Sequence, residues 1–186
     1  MKLAYAMCGS FCTHKASLEA LLSLSASHDI TVALSEAVRD TDTRFGTAAS
    51  LKSTVTAISG LAPITSIVKA EEQITRGGFD ALIVSPCTGN TLAKLANGIT
   101  DSTVTMCIKA QLRNRRPVII ALATNDGLGA NLANIALTLE KKNVYFVPFG
   151  QDDPQSKQTS LICDFSLIEA TLEYAMRGVQ LQPILL

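Results

Sequence analysis

Five short runs of the chain are almost continuously apolar: Lys2–Cys8, Ile30–Leu34, Asp80–Ser85, Val118–Ala123 and Val144–Phe149. They are rich in Val, Ile and Ala and lack the in-and-out alternation of a strand with one wet face. Such runs predict strands buried on both faces, as in a parallel sheet. Between them, apolar positions recur at helical spacing. Leu18, Leu21, Leu22 and Leu24 mark a first helix. Ala48, Leu51, Val55 and Ile58 mark a second, which Gly60 stops. Val104, Cys107, Ile108 and Leu112 mark a third, with Asp101 or Ser102 as its N-cap. Leu128, Leu132, Ile135, Ala136 and Leu139 mark a fourth, and Ile168, Leu172, Ala175 and Met176 a fifth that ends at Gly178. Strands alternating with helices build βαβ units, whose right-handed crossovers cover both faces of the sheet. The expected fold is an α/β, three-layer α/β/α sandwich around a parallel sheet, in a single domain over residues 1–186. Glu36–Arg44, Gly150–Ser160 and the tail after Gly178 read as irregular. The tail ends Pro183-Ile184-Leu185-Leu186, an apolar end best accommodated by packing on a neighbouring subunit.

Composition sharpens this picture in two ways. The chain is 47% hydrophobic and only 17% charged, against about 25% charged in an average soluble domain. So little charge predicts burial between protomers as well as within one. The formal net charge is zero, from 16 basic and 16 acidic residues, so no basic field is available for nucleic acid. The short basic run at Arg113, Arg115 and Arg116 reads as a solvated helix end. No apolar stretch reaches the roughly 18 residues of a membrane span. Cys8, Cys12, Cys87, Cys107 and Cys163 form no CxxC pair; the odd count and the lack of a signal peptide predict reduced thiols and a cytoplasmic setting.

Ligands of a parallel sheet bind outside the carboxyl ends of its strands, and the residues that follow each strand are the candidates. They are Cys8-Gly9-Ser10-Phe11-Cys12-Thr13, then Ser35, then Ser85-Pro86-Cys87-Thr88-Gly89-Asn90-Thr91, then Thr124-Asn125-Asp126-Gly127. Gly9 permits close approach of a backbone to a ligand. Ser10, Thr13, Ser35, Ser85 and Thr88 carry hydroxyls that donate to phosphate oxygens, and helix starts add free N–H groups. Small polar residues after strands are also ordinary turn and cap residues, so each turn has a structural reading as well. Neither GxxxxGK[ST] nor GxGxxG occurs, which excludes a P-loop and a dinucleotide fingerprint. The pair Asp152-Asp153 is too small a ligand set for a metal, and none is expected. Cys12 and Cys87 are expected to be buried, inert thiols.

The segment Ser85–Thr91, continuing through Ala93-Lys94-Leu95-Ala96-Asn97-Gly98-Ile99-Thr100-Asp101-Ser102, resembles the PASANT segment of the flavin-dependent cysteine decarboxylases and the K-[IL]-A-N-G-x-x-D-N pattern that follows it. Ala123-Thr124-Asn125-Asp126 stands where that family has PxMN. Those enzymes use a histidine as acid/base between the second and third sheet strands. Here no histidine falls between Ser35 and Phe79; His14 opens the first helix and His28 ends it.

A longer resemblance is to the family of dipicolinate synthase B subunits. It rests on Gly9–Thr13, Thr43–Gly46 (TRFG), Ser66–Glu71 (SIVKAE), Pro86–Ser102, Thr124–Gly129, Pro148–Pro154 (PFGQDDP) and Gln180–Leu185 (QLQPIL), strings spread over the whole length. The resemblance implies a flavodoxin- or Rossmann-like flavoprotein fold and a pocket for flavin mononucleotide (FMN). That pocket would be built from Gly9, Ser10, Thr13, Ser35, Ser85, Pro86, Thr88, Gly89, Asn90, Thr91, Thr124 and Asn125. It also implies a small-molecule substrate, dihydrodipicolinate, oxidised to dipicolinate in sporulation, with NADP held by a separate partner, the A subunit of dipicolinate synthase. A homo-oligomer built from trimers is implied too. Arg44 is the candidate to grip a substrate carboxylate as the catalytic-site cation; the alternative for it is a salt bridge to Asp40 or Asp42. Two other functions stay open at this point: a stand-alone FMN-dependent decarboxylase or flavin-modifying transferase, and a non-catalytic, structural chain that orders the A subunit.

Overall fold

Burial on both faces makes the five apolar runs into adjacent strands. The computed structural model describes all 186 residues. In chain order, strand β1 (Lys2–Met7) leads through a 3-10 turn (Phe11–Thr13) into helix α1 (His14–Ser25), followed by β2 (Asp29–Leu34), α2 (Glu36–Asp40), α3 (Ala48–Ser59) and α4 (Ile67–Arg76). Then come β3 (Ala81–Cys87), α5 (Gly89–Ala96), α6 (Thr103–Arg113), β4 (Val118–Thr124), α7 (Leu132–Leu139) and β5 (Val144–Phe146). The chain finishes with β6 (Phe149–Asp153), β7 (Lys157–Cys163) and α8 (Ile168–Met176).

The parallel part of the sheet runs β2-β1-β3-β4-β5, with Leu3 paired to Ile30 on one side and to Ala81 on the other. In this doubly wound order the chain reverses direction across the sheet between β1 and β3, and the crevice for a ligand opens at their carboxyl ends. Leu3 to Met7 and Ala81 to Val84 are completely buried.

Caps set the helix starts. Thr47 accepts from Ser50 N–H at 3.1 Å and Ser66 from Lys69 N–H at 3.3 Å. Ser102, with Thr105, forms a reciprocal capping box on α6, worth about 1 kcal/mol per cap. Gly60 ends α3 at φ +70°, a conformation glycine adopts without penalty.

Three sequence expectations change. Gly150–Ser160 is no irregular stretch. It belongs to the β6–β7 hairpin, and β7 runs antiparallel to β4 at Ala123 and Thr124, so the sheet is mixed. The hairpin is hidden in the sequence because its tip is polar and exposed. Glu36–Arg44 begins with the short helix α2. The tail, read as irregular, seats its backbone against β6. Phe149 N–H donates to Ile184 O at 3.0 Å, and Leu186 N–H donates to Phe149 O at 3.1 Å. The Gln180 amide brackets Phe146, accepting from its N–H at 2.8 Å and donating to its carbonyl at 2.7 Å. Leu185 and Leu186 keep their side chains exposed.

Candidate functional site

The β1 and β3 turns are tied to each other: Cys8 N–H donates to Pro86 O at 3.2 Å. Beyond Cys8 the β1 turn folds its carbonyl inward. Thr13 directs both its N–H (3.0 Å) and its hydroxyl (2.8 Å) to Ser10 O. The N–H groups of Gly9 and Ser10 and the Ser10 hydroxyl take no partner within the chain. Phe11 and Cys12 open the 3-10 turn, where N–H groups have no acceptor one turn back. The result is a run of outward donors directly ahead of the N-terminus of α1. Unpaired donors ahead of a helix N-terminus suit an anion. Nothing in the chain forbids a side chain at Gly9, where a Cβ would meet the Phe11 ring at 3.4 Å.

His14, the first residue of α1, is buried, with Nε2 2.8 Å from Cys8 O. A carbonyl only accepts, so Nε2 carries the proton. Burial lowers its pKa despite that bond, which favours the neutral ring.

The β3 turn is built differently. Ser85 is completely buried. Its carbonyl accepts from the Ser17 hydroxyl at 2.8 Å, and the two hydroxyls lie 3.0 Å apart. Tyr5 OH donates to Ser17 O at 2.8 Å, and burial raises its pKa. Ser85 is therefore a link between sheet and α1, facing away from the ligand edge, against its sequence assignment as a phosphate donor. Thr91 is buried too, with its hydroxyl 3.2 Å from Cys8 Sγ and 3.2 Å from the Thr88 hydroxyl. Thr88 caps α5 by accepting from Thr91 N–H at 3.3 Å. Ser35 caps α2 by accepting from Val38 N–H at 3.4 Å. Asn90 and Asn125 are exposed, with side-chain amides free of protein partners.

Cys8 and Cys87 are buried, and desolvation raises the Cys8 thiol to about 11 and Cys87 well above its ordinary value. Both stay protonated. Cys12 departs from expectation: it is exposed on the β1 turn.

At the end of β4 a carboxylate that sequence reading passes over joins the site. Asp126 Oδ1 accepts from the Thr124 hydroxyl at 2.5 Å and from Asn131 Nδ2 at 2.8 Å. These two bonds hold its pKa below the usual range. Asn131 is itself buried and is bonded by Asn134 at 3.0 Å. Gly89 lies directly beneath: a Cβ there would stand 2.4 Å from Asn131 Nδ2 and 2.5 Å from Thr124 Oγ1. The signal was available, since an acidic residue three positions after an apolar run sits at the ligand edge.

Arg44 is exposed in the Thr43–Gly46 turn, its guanidinium 4.8 Å over the Phe45 ring. Neither alternative salt bridge forms: Asp40 pairs with Arg39 at 2.5 Å, and Asp42 accepts from Ala48 N–H at 2.8 Å. Beside that turn lies a cavity of about 530 Å³, bounded by Phe11, Cys12 and His14 of the β1 turn, Phe45, and Leu18 and Leu51 of α1 and α3. Arg44 stands outside it.

The chain matches the flavoprotein family over residues 2–167. It is 39% identical to the B subunit of dipicolinate synthase from Bacillus subtilis, over 99% of this chain and 92% of that protein. The crystal structure of the corresponding B subunit from Bacillus halodurans superposes with a TM-score of 0.91 at 38% identity, covering 100% of this chain and 95% of the other. The FMN-dependent cysteine decarboxylase SpaF, at 24% identity, shares the fold with a TM-score of 0.66 over 94% of this chain and 97% of its own. A doubly wound sheet with an outward donor turn at its reversal point and this relationship over the full length agree: the chain belongs to the flavoprotein family, in the branch of the dipicolinate synthase B subunits.

Proposed function

We propose that this chain is the B subunit of a two-component dipicolinate synthase and that it binds FMN at the carboxyl ends of β1 and β3. The reaction removes a hydride and a proton from dihydrodipicolinate. The hydride passes to NADP, giving NADPH, the proton leaves to solvent, and the ring becomes an aromatic pyridine dicarboxylate. The observation that carries the reading is the 39% identity over 99% of the chain. The nicotinamide site belongs to the A subunit, in keeping with the absence of GxGxxG here.

The donor set fits the flavin. The N–H groups of Gly9 to Cys12, the Ser10 hydroxyl and the positive end of α1 would hold the phosphate, with Ser35 and Thr13 at its border. Pro86, Thr88, Gly89, Asn90, Thr124 and Asn125 would flank the ring. Flavin, if bound, would supply a redox-active ring beside the hydride transfer to NADP. The chain's own residues bind it, orient it and keep its two ends in different surroundings. Arg44, on an exposed turn at the cavity mouth, would engage a substrate carboxylate once the A subunit is docked; its planar fork matches a carboxylate in a way lysine does not.

We propose in addition a trimer-based homo-oligomer working in the cytoplasm. Helix α7 supports the assembly: Leu132, Leu137 and Leu139 are 52%, 50% and 43% exposed on a helix without a charge, a surface that calls for a partner.

The experiment mixes purified chain, its A-type partner, dihydrodipicolinate and NADP, and follows pyridine absorbance. Turnover is expected only when both proteins are present. Full turnover by either one alone overturns the division of labour.

A further inference from the structure

One carboxylate at the ligand edge is fixed in place with half of its acceptor capacity unspent. Asp126 places Oδ1 under two donors, Thr124 Oγ1 at 2.5 Å and Asn131 Nδ2 at 2.8 Å. Its main-chain oxygen accepts from the N–H groups of Gly129 (3.0 Å) and Asn131 (3.1 Å). The side chain therefore has little freedom to turn away, and Oδ2 makes no hydrogen bond within the chain.

Its position gives that free oxygen a meaning. A Cβ on Gly89, the first residue of α5, would come within 2.9 Å of Asp126 Oδ1, so the carboxylate lies against the start of that helix. The N-terminus of α5 is thus already faced by a negative charge. A phosphate placed there would meet like charge, whereas the β1 turn offers donors and no carboxylate. An ionised carboxylate accepts and never donates. Next to it Asn125 and Asn90 present unpartnered amides, which can donate. An acceptor with donors beside it is the chemical complement of an imide edge, an N–H between two carbonyls.

We infer that Asp126 reads the imide edge of the flavin ring, with Oδ2 accepting the N3–H proton, and that its charge keeps the phosphate end on the β1 turn. The inference rests on the flavin reading above and deepens it by fixing which end of the ligand lies where.

Asp126→Asn is a clean probe, because its amide oxygen keeps the bonds from Thr124 and Asn131 while the free position becomes an N–H₂ donor. The full-length chain is titrated with FMN and with N3-methyl FMN by flavin fluorescence, and the melting temperature of the ligand-free protein is read alongside. The wild type should bind FMN about tenfold more tightly than the N3-methyl analogue, the size expected for a hydrogen bond to a charged group. Asp126→Asn should bind both about equally, at the weaker affinity, with an unchanged melting temperature. A wild type that does not discriminate, or a variant that keeps the wild-type ratio, overturns the role of Asp126 and leaves the flavin site standing. A wild type that binds neither compound overturns the flavin reading and this inference with it. The wild-type comparison needs no variant, so it decides even if Asp126→Asn folds poorly.

Discussion

The turns after β1 and β3 have nearly the same composition and opposite orientations. Both are short and both are rich in glycine, serine and threonine. After β1 the carbonyl of Ser10 is folded in and the N–H groups and hydroxyl are left outward. At the end of β3 and the start of α5 the hydroxyls of Ser85 and Thr91 are turned into the protein, where they tie the sheet to α1 and to the β1 turn. A hydroxyl spent on Ser17 cannot also serve a ligand. One turn therefore has donors to spare, and the other holds it in position.

The comparison can be broken first at Gly89. Gly89→Ala forces a methyl into Asn131 and Thr124 and should cost about 2–3 kcal/mol of folding stability, as overpacking does. Urea unfolding measures it; a midpoint equal to wild type would mean that the β3 turn is looser than these contacts require.

The next effect separates the two serines. Ser85→Ala should lose about 1–2 kcal/mol of stability with FMN affinity retained, and Ser10→Ala should lose about tenfold in FMN affinity with stability retained. Paired denaturation and fluorescence titrations read both, and the reverse pattern would exchange the roles of the two turns.

The smallest effect comes from His14, on the border of the β1 turn. Burial lowers its folded-state pKa below the ordinary value of 6.5. The unfolded chain then takes up the proton first, so this contribution is complete above 6.5 and declines as pH falls below it. His14→Gln should flatten that part of the stability profile, seen by comparing urea midpoints about one unit either side of 6.5. An identical slope in variant and wild type would place the titration elsewhere.

How much of this could be read from sequence follows from burial. Strands wet on neither face announce themselves as apolar runs, and all five parallel strands fall on such runs. The β6–β7 hairpin does not, because Gln151 to Thr159 faces water over most of its length and leaves no apolar period. Helix α4, which buries Ala70 and Ile74, also goes unread. At the site, sequence supplies the residue types and the sheet edge but not the direction of a side chain. Ser10 and Ser85 look alike until Ser17 is known to sit beneath one of them. Asp126 stands within Thr124–Gly129, but the string does not tell that Thr124 and Asn131 hold its carboxylate.

The docked tail carries a consequence for synthesis. Phe146 lies 34 residues before Gln180, and Phe149 lies 35 and 37 residues before Ile184 and Leu186, the groups that complete their hydrogen bonds. During translation that margin of the sheet is therefore unfinished until residues 180–186 have been made. A product stopped before Gln180 would leave those main-chain groups open beside β6, an edge to which another strand can add. Residues 180–186 therefore close a margin of the sheet that would otherwise be open to pairing.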